Sequence, residues 1–173
     1  MSVGTSISKS TRKIRKAVTG DEPAVDILEK LKEEHDEVQA MLRKLVASER
    51  AAERKSLLAK IKAALIPHSR AEEKVVYDAL IGMRGKDVKQ DGLEGYLEHG
   101  LADQMLTKLS KIRNANAPEF SAGAKVLKEL VDHHVQEEED NVWSDVRDHF
   151  SDEDRYAMTR KFERAKKSVR IPH

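Results

Sequence analysis

The chain has 173 residues, enough for one domain with a sizeable core, and 36% of them are charged while only 4% are aromatic. Gly and Pro number 8 and 4, and so few helix breakers favour long helices over a β-sandwich or a barrel. There is no Cys, which excludes a disulfide framework, a thiolate zinc site, an iron–sulfur cluster and a cysteine nucleophile.

The first 20 residues are predicted to form a basic arm. They carry five Lys and Arg residues and no acid, so this arm has a charge of +5 although the whole chain has only +1. Such an arm is typical of a solvated terminus, and it also offers a surface for an acidic protein partner. No apolar stretch follows the basic residues, and no apolar run approaches the ~20 residues of a spanning helix. The sequence therefore predicts a soluble, cytoplasmic protein.

Two amphipathic helices are predicted in the first half of the chain. The first begins after Pro23, a residue tolerated in the first turn of a helix. Its inward stripe has the three-and-four spacing of a helix and consists of Leu28, Leu31, His35, Val38, Leu42 and Leu45. The second spans about 50–81 and carries His68 and Glu72 on its apolar face. Pro67 predicts a kink just before His68.

Two further helices are predicted at about 90–114 and 119–149. The inward face of the third contains Leu93, Tyr96, His99, Asp103, Leu106 and Leu109. The inward face of the fourth contains Leu127, Leu130, Val131, His134, Glu138, Val142 and Val146. Short connections between four long helices predict an antiparallel up-down four-helix bundle over residues 21–150.

The remaining segment, residues 151–173, is predicted to add a short C-terminal helix and a tail. Ser151 and Asp154 have the spacing of a helix cap, and the helix is expected to end at about residue 168. The fold class is therefore all-α, with a basic N-terminal arm before the bundle and one short helix after it.

Each of the four predicted bundle helices has a histidine near its middle, on the inward face: His35, His68, His99 and His134. Their separations are 33, 31 and 35 residues. Each step corresponds to half a helix, a turn and half a helix back, so all four imidazoles are expected at one depth in the bundle. A single histidine in an apolar stripe is usually an ordinary core residue. Four of them with two glutamates are costly to bury unless a metal ion binds them.

Two of the helices repeat the pattern His-x-x-x-Glu, in His68–Glu72 and His134–Glu138, which places the two side chains one turn apart on one face. The two predicted helical hairpins also resemble each other, because corresponding histidines are 64 and 66 residues apart. This pseudo-symmetry suits a site for two metal ions on the bundle axis. Imidazole and carboxylate without sulfur favour iron, manganese or zinc.

The order His…His-x-x-x-Glu…His…His-x-x-x-Glu, over about residues 26–148, resembles the hemerythrin-like, or HHE cation-binding, domain family. The Glu-x-x-His pattern of ferritin-like proteins is absent from the sequence. The resemblance implies two non-haem iron ions, commonly oxo- or hydroxo-bridged, with zinc or manganese as substitutes. It implies the ligands His35, His68, Glu72, His99, His134 and Glu138, of which Glu72 and Glu138 would bridge the two ions.

Asp103 departs from the pattern of the oxygen-carrying family members, which have a second histidine four residues after the first on the third helix. Asp103 has three open roles, as a seventh metal ligand, as a partner that holds His99, or as a solvent-facing residue, and the first two are favoured. A carboxylate in place of an imidazole favours ferric iron, so reversible oxygen carriage becomes less expected than oxidation after contact with oxygen.

The resemblance implies a protein that binds or senses oxygen, nitric oxide or iron. One alternative is a di-iron enzyme that acts on peroxide or oxygen, in which Tyr77 or Tyr96 would assist at an open coordination position. A second alternative is a helical interaction module without metal. The sequence contains no nucleic-acid recognition motif.

Overall fold

The computed structural model describes residues 25–171, and every regular element in that range is a helix. This confirms the predicted all-helical class. The basic arm at residues 1–20 lies outside the described residues, and so it stays a prediction. None of the helices in the described range combines the length and the apolar character that membrane crossing requires.

Four long helices account for most of the described chain, and a shorter one follows them. They are α1 (Ile27–Ala47), α2 (Ala51–Glu72) continuing into α3 (Asp78–Ile81), α4 (Lys86–Lys111), α5 (Pro118–Glu137) continuing into α6 (Trp143–His149), and α7 (Asp152–Ser168). The predicted cap of α7 is confirmed, because Ser151 and Asp154 bond to each other's backbone N–H groups in a capping box.

The second and fourth long helices are interrupted by π-helical turns at Glu73–Tyr77 and Glu138–Val142. The first turn begins directly after Glu72 and the second begins at Glu138, so both lie next to the glutamate of a His-x-x-x-Glu pattern. A π-helical turn adds one residue to a helical turn and is frequent at functional sites. Pro67 lies inside α2, which remains α-helical up to Glu72, and the kink expected just before His68 stays a prediction.

The packing places the histidines between two separate apolar clusters. Helix α1 packs against α2 and α5, α4 packs against α5, and α7 covers α1 and α2. One cluster contains Val38 and Leu65, and the other contains Leu31 and Val142. The chain passes from one cluster to the other at His35 on α1, and between Val135 and Val142, on either side of Glu138, on the fourth long helix. The layer of histidines is therefore enclosed on both sides by side chains that exclude water.

The predicted inward position of Leu93 is wrong, because 54% of this side chain is exposed. The inner face of α4 near its start is formed by Gly92 and Gly95 instead. A Cβ atom at Gly95 would lie 2.5 Å from the ring of Tyr77, so only glycine allows α4 to approach the second long helix this closely. The periodic pattern includes only apolar side chains, so it predicts Leu93 on the inner face in place of the two glycines.

Substitution of Gly95 by Ala is expected to lower the free energy of unfolding by about 1–3 kcal/mol, because Tyr77 must move to admit the methyl group. Gly100 lies on the same helix, and a Cβ atom added there would have open space around it. Ala at Gly100 is therefore the control and is expected to raise the free energy of unfolding by about 0.5–1 kcal/mol. Urea unfolding of both variants measures the difference, and equal effects would contradict the close-approach interpretation.

Candidate metal centre

Six of the seven predicted metal-ligating residues meet in the middle of the protein. The exposed fraction is 6% or less for all of them, namely His35, His68, Glu72, His99, His134 and Glu138. The ring centroids of His35 and His68 are 5.0 Å apart, and those of His99 and His134 are 4.7 Å apart. The four histidines thus lie at one level between the two apolar clusters, as their equal spacing in the sequence predicts.

The ligand atoms form two groups of three that share Glu72. We call His35, His68 and Glu72 the first metal position, and Glu72, His99 and His134 the second metal position; within each group the ligand atoms lie within 4.8 Å of one another. In the second position, the Nε2 atoms of His99 and His134 are 3.1 Å apart. A cation between them satisfies both nitrogens at once.

Glu138 lies between the two positions. Its Oε2 is 3.3 Å from Nε2 of His35 and 3.7 Å from Nε2 of His134. Its Oε1 accepts a hydrogen bond of 2.9 Å from the hydroxyl of Tyr77. Glu72 and Glu138 are therefore the two carboxylates that contact histidines of both positions.

Unsatisfied buried atoms in the described part of the chain show that this donor set fits a metal centre. The atoms without a hydrogen-bond partner include both ring nitrogens of His35, Nε2 of His68, both carboxylate oxygens of Glu72 and Oε2 of Glu138. Buried polar atoms without partners are costly, each by about 1–3 kcal/mol. Cations bound to these atoms would remove the cost, and imidazole with carboxylate suits iron, manganese or zinc.

The outer nitrogen of each histidine faces a second carboxylate, which the sequence analysis missed. Nδ1 lies 3.1 Å from Glu34 in His68, 3.2 Å from Glu73 in His99, 2.7 Å from Glu98 in His134 and 3.6 Å from Glu139 in His35. We call Glu34, Glu73, Glu98 and Glu139 the outer carboxylates. The carboxylates within hydrogen-bond distance of His68, His99 and His134 fix the tautomer and leave Nε2 free for a metal ion. The 3.6 Å between Glu139 and His35 is longer than a hydrogen bond.

The outer carboxylates connect the long helices in a closed cycle. The first helix holds the histidine of the second through Glu34, the second holds that of the third through Glu73, and the third holds that of the fourth through Glu98. Glu139 on the fourth helix faces the histidine of the first and closes the cycle. Each of these glutamates directly precedes or follows a candidate ligand in the sequence, and this adjacency is the signal that could have found them.

Asp103 is the predicted ligand that the structure does not bring to the centre. It lies outside both metal positions, and its carboxylate accepts a hydrogen bond from Arg70. Arg70 also donates to Glu73, and Glu73 is the residue that contacts His99. Asp103 therefore reaches His99 only through two intervening side chains.

Burial and neighbouring charges shift the pKa values of the centre in opposite directions. Burial opposes the charged form of His68, but Glu72 and Glu34 together raise its pKa to about 9. Burial lowers the pKa of His99 to about 4. Burial and the charge of Glu72 raise the pKa of Glu138 well above its ordinary value. At pH 7 the metal-free centre therefore keeps a proton on His68, and Glu138 releases its proton at a higher pH than an ordinary carboxyl.

Metal binding at pH 7 is expected to release protons, because metal ligands must be deprotonated, His68 holds a proton before binding, and the raised pKa of Glu138 favours its protonated form. Metal affinity should fall as the pH is lowered, and the proton release should decrease as the pH rises through about 9, where His68 deprotonates without metal. Calorimetric titrations in buffers of different ionisation enthalpy measure the release. The Glu138→Gln variant is expected to release fewer protons than the native protein, and a release that does not change with this substitution would contradict a contribution from Glu138.

Aromatic rings cover the centre from several sides. Tyr77 tilts over His99 at 5.4 Å, and Trp143 stacks on His35 at 6.1 Å with an interplanar angle of 16°. These two aromatics follow Glu72 and Glu138 by five residues each, so the repeat seen in the sequence is also present in the site. Phe162 on α7 meets His68 edge-on at 5.7 Å, which shows that the C-terminal helix contributes to the wall of the centre.

Comparison with known proteins agrees with this geometry. The sequence model of the family described as "Hemerythrin HHE cation binding domain" matches residues 26–144. An uncharacterized hemerythrin-like protein of Schizosaccharomyces pombe is 33% identical over 105 residues, which cover 61% of this chain and 51% of that protein. A DNA nickase of Nostoc sp. is 25% identical over 149 residues, which cover 86% of this chain and 41% of that protein.

The matches thus span about half, or less, of the length of these curated relatives. No solved structure matches the chain. The family match extends over more than half of the chain and includes all six residues that meet at the centre. The chain therefore belongs to the hemerythrin HHE cation-binding domain family.

Proposed function

We propose that this protein holds two non-haem iron ions and binds or senses oxygen, nitric oxide or iron. The observation that supports it most directly is the pair of three-ligand groups that share the fully buried Glu72. Imidazole and carboxylate donors suit non-haem iron. Manganese and zinc, which accept the same donors, are the expected substitutes when iron is scarce. The carboxylate-rich surroundings favour ferric over ferrous iron.

We further propose that the four long helices form an antiparallel up-down bundle around the two ions. The connections between the long helices are short, and successive helices pack against each other. The histidines lie at one level, which is what alternating helix directions produce from equal sequence spacing.

The volume beside the centre supports a very small ligand. A cavity of about 20 Å³ is lined by Tyr77, His134 and Glu138 together with residues nearer the surface. This is about the space that one water molecule occupies, so it suits a diatomic ligand better than an organic substrate. Iron bound at the centre would supply an open coordination position and a change of oxidation state.

The surrounding residues would hold the centre in a fixed arrangement. The outer carboxylates orient the imidazoles, and the hydroxyl of Tyr77 fixes one oxygen of Glu138. The apolar clusters on both sides limit access of water, which strengthens the electrostatic interactions inside the centre.

The second candidate is a di-iron enzyme that acts on peroxide or oxygen. Tyr77 favours it, because its buried hydroxyl contacts Glu138 beside the cavity and burial raises its pKa well above the ordinary value. The phenol therefore keeps its proton and acts as a hydrogen-bond donor at the centre. Peroxide is also small enough for this cavity, so the cavity volume does not distinguish the two candidate functions. Catalytic turnover of peroxide does.

Metal analysis and visible spectra of the protein purified in air test the proposal. We expect two iron ions per chain, near-ultraviolet charge-transfer bands, and spectral changes when nitric oxide or oxygen is added to the reduced protein. Rapid peroxide decomposition by the iron-loaded protein would favour the enzyme instead. Protein that binds neither iron nor another metal, also after anaerobic loading, would overturn both proposed functions and leave a helical interaction module.

The cytoplasmic location and a protein partner of the basic arm stay predictions.

A further inference from the structure

The two metal positions have similar ligands but differently charged surroundings. At the first position, both outer carboxylates form ion pairs with lysines. Glu34 forms ion pairs with Lys166 and with Lys30, the latter at 3.3 Å. Glu139 lies 3.4 Å from Lys32. Both outer carboxylates on this side therefore have lysine partners, although Lys30 also pairs with Glu33 and Glu163, and Lys32 also pairs with Asp36.

At the second position, cations are scarce. Glu73 pairs with Arg70, but Arg70 also pairs with Asp103, so one guanidinium serves two carboxylates. Glu98 contacts His134 and lies 3.8 Å from His133. Within residues 25–171 it forms no ion pair with a Lys or an Arg.

Further acidic residues lie on the same side. The cavity that reaches His134 and Glu138 is also lined by Asp91, Glu94 and Glu137, and no Lys or Arg in the described range contributes to its wall. Neighbouring carboxylates that repel one another gain from a cation placed between or near them. Lysines pair with both outer carboxylates of the first position, whereas Glu98 of the second position and the acids of the cavity wall pair with no described Lys or Arg, so the second position is the more negative of the two.

We propose that the two metal positions fill in order, the His99/His134 position first and the His35/His68 position second, and that Glu98 and Glu34 set the affinities of their own positions separately. A divalent ion is attracted more strongly to the more negative side, and an ionised partner on Nδ1 makes the imidazole a better ligand. Lysines on Glu34 and Glu139 weaken this effect at the first position. The inference rests on the proposed two-metal centre and adds an order of occupation.

Anaerobic titration of the metal-free protein with Co²⁺ tests the order, because calorimetry gives the affinity of each step and the visible bands of Co²⁺ report its ligands. We expect two steps that differ in affinity by about 10-fold or more. The Glu98→Gln variant should weaken binding at the His99/His134 position by about 10–100-fold and leave the His35/His68 position almost unchanged, whereas Glu34→Gln should weaken only the His35/His68 position. Glu37→Gln, at an exposed position of α1, is the control and should change neither step.

His134→Ala and His35→Ala assign the steps, because the first variant should lose the tight step and the second should lose the weak one. Glu98→Asp keeps the charge and is expected to restore part of the affinity that Glu98→Gln loses, which separates an electrostatic effect from a packing defect. Simultaneous filling with equal affinities, or weakening of the same step by Glu98→Gln and Glu34→Gln, would overturn the inference. If Co²⁺ binds in this order but the iron-loaded protein does not react with oxygen, nitric oxide or peroxide, the inference is supported and the proposed function is refuted.

Discussion

The Glu72→Gln variant is expected to purify with almost no bound metal, although it differs from the native protein only by an amide in place of a carboxylate. Glu72 is the one residue that belongs to both metal positions, and its side chain is fully buried. Gln keeps the size of the side chain but supplies no negative charge to either ion. The loss per position should exceed the roughly 100-fold that removal of an outer partner costs.

Metal analysis after identical purification measures this effect, and Glu37→Gln on the exposed face of α1 is the matched control. Circular dichroism of both variants checks that the helices remain formed. A Glu72→Gln protein that retains its full metal content would show that the two positions do not share this carboxylate.

The Phe162→Ala variant is expected to lose about 3–5 kcal/mol of unfolding free energy, the usual cost of removing a buried aromatic side chain. Phe162 is completely buried on α7, meets His68 edge-on, and has the ammonium of Lys166 at 5.3 Å from its ring centroid. The vacated space would lie next to His68. We therefore also expect weaker metal binding at the first position.

Urea unfolding of the metal-free protein gives the free energy without a contribution from bound ions. The control is Leu97→Ala, a truncation of similar chemistry at a side chain that is 70% exposed, which should change the free energy by about 0.5 kcal/mol or less. If both truncations cost the same, α7 would not be part of the cooperative core.

The positions of the six central residues were predictable from the sequence because helical periodicity and equal spacing are both geometric. His35, His68 and His134 lie in strongly apolar stripes, so their inward direction follows from the neighbouring leucines and valines. The short connections then determine the level at which the histidines meet. The observed helix bounds are also close to the predicted ones, and α7, for example, begins at the predicted cap, Ser151.

Other features were not predictable because they depend on contacts between distant elements. Glu34 and Glu73 look like ordinary charged residues of a solvated face until a neighbouring helix brings a histidine to them. Asp103 has the sequence position of a ligand, but Arg70 from another helix takes its carboxylate. The exposure of Leu93 follows from the close approach that Gly95 permits, which a hydrophobic pattern cannot express.

The closed cycle of outer carboxylates has a consequence for the internal motions of the protein. Glutamates of neighbouring helices bond to His68, His99 and His134, and Glu139 of the fourth helix faces His35. A local opening of any one helix therefore displaces its own histidine and also the carboxylate beside the histidine of another helix. A bound ion therefore opposes the opening of all four helices together and should join their separate opening reactions into one. Amide hydrogen exchange would then slow by a similar factor near His35, His68, His99 and His134 once metal is bound.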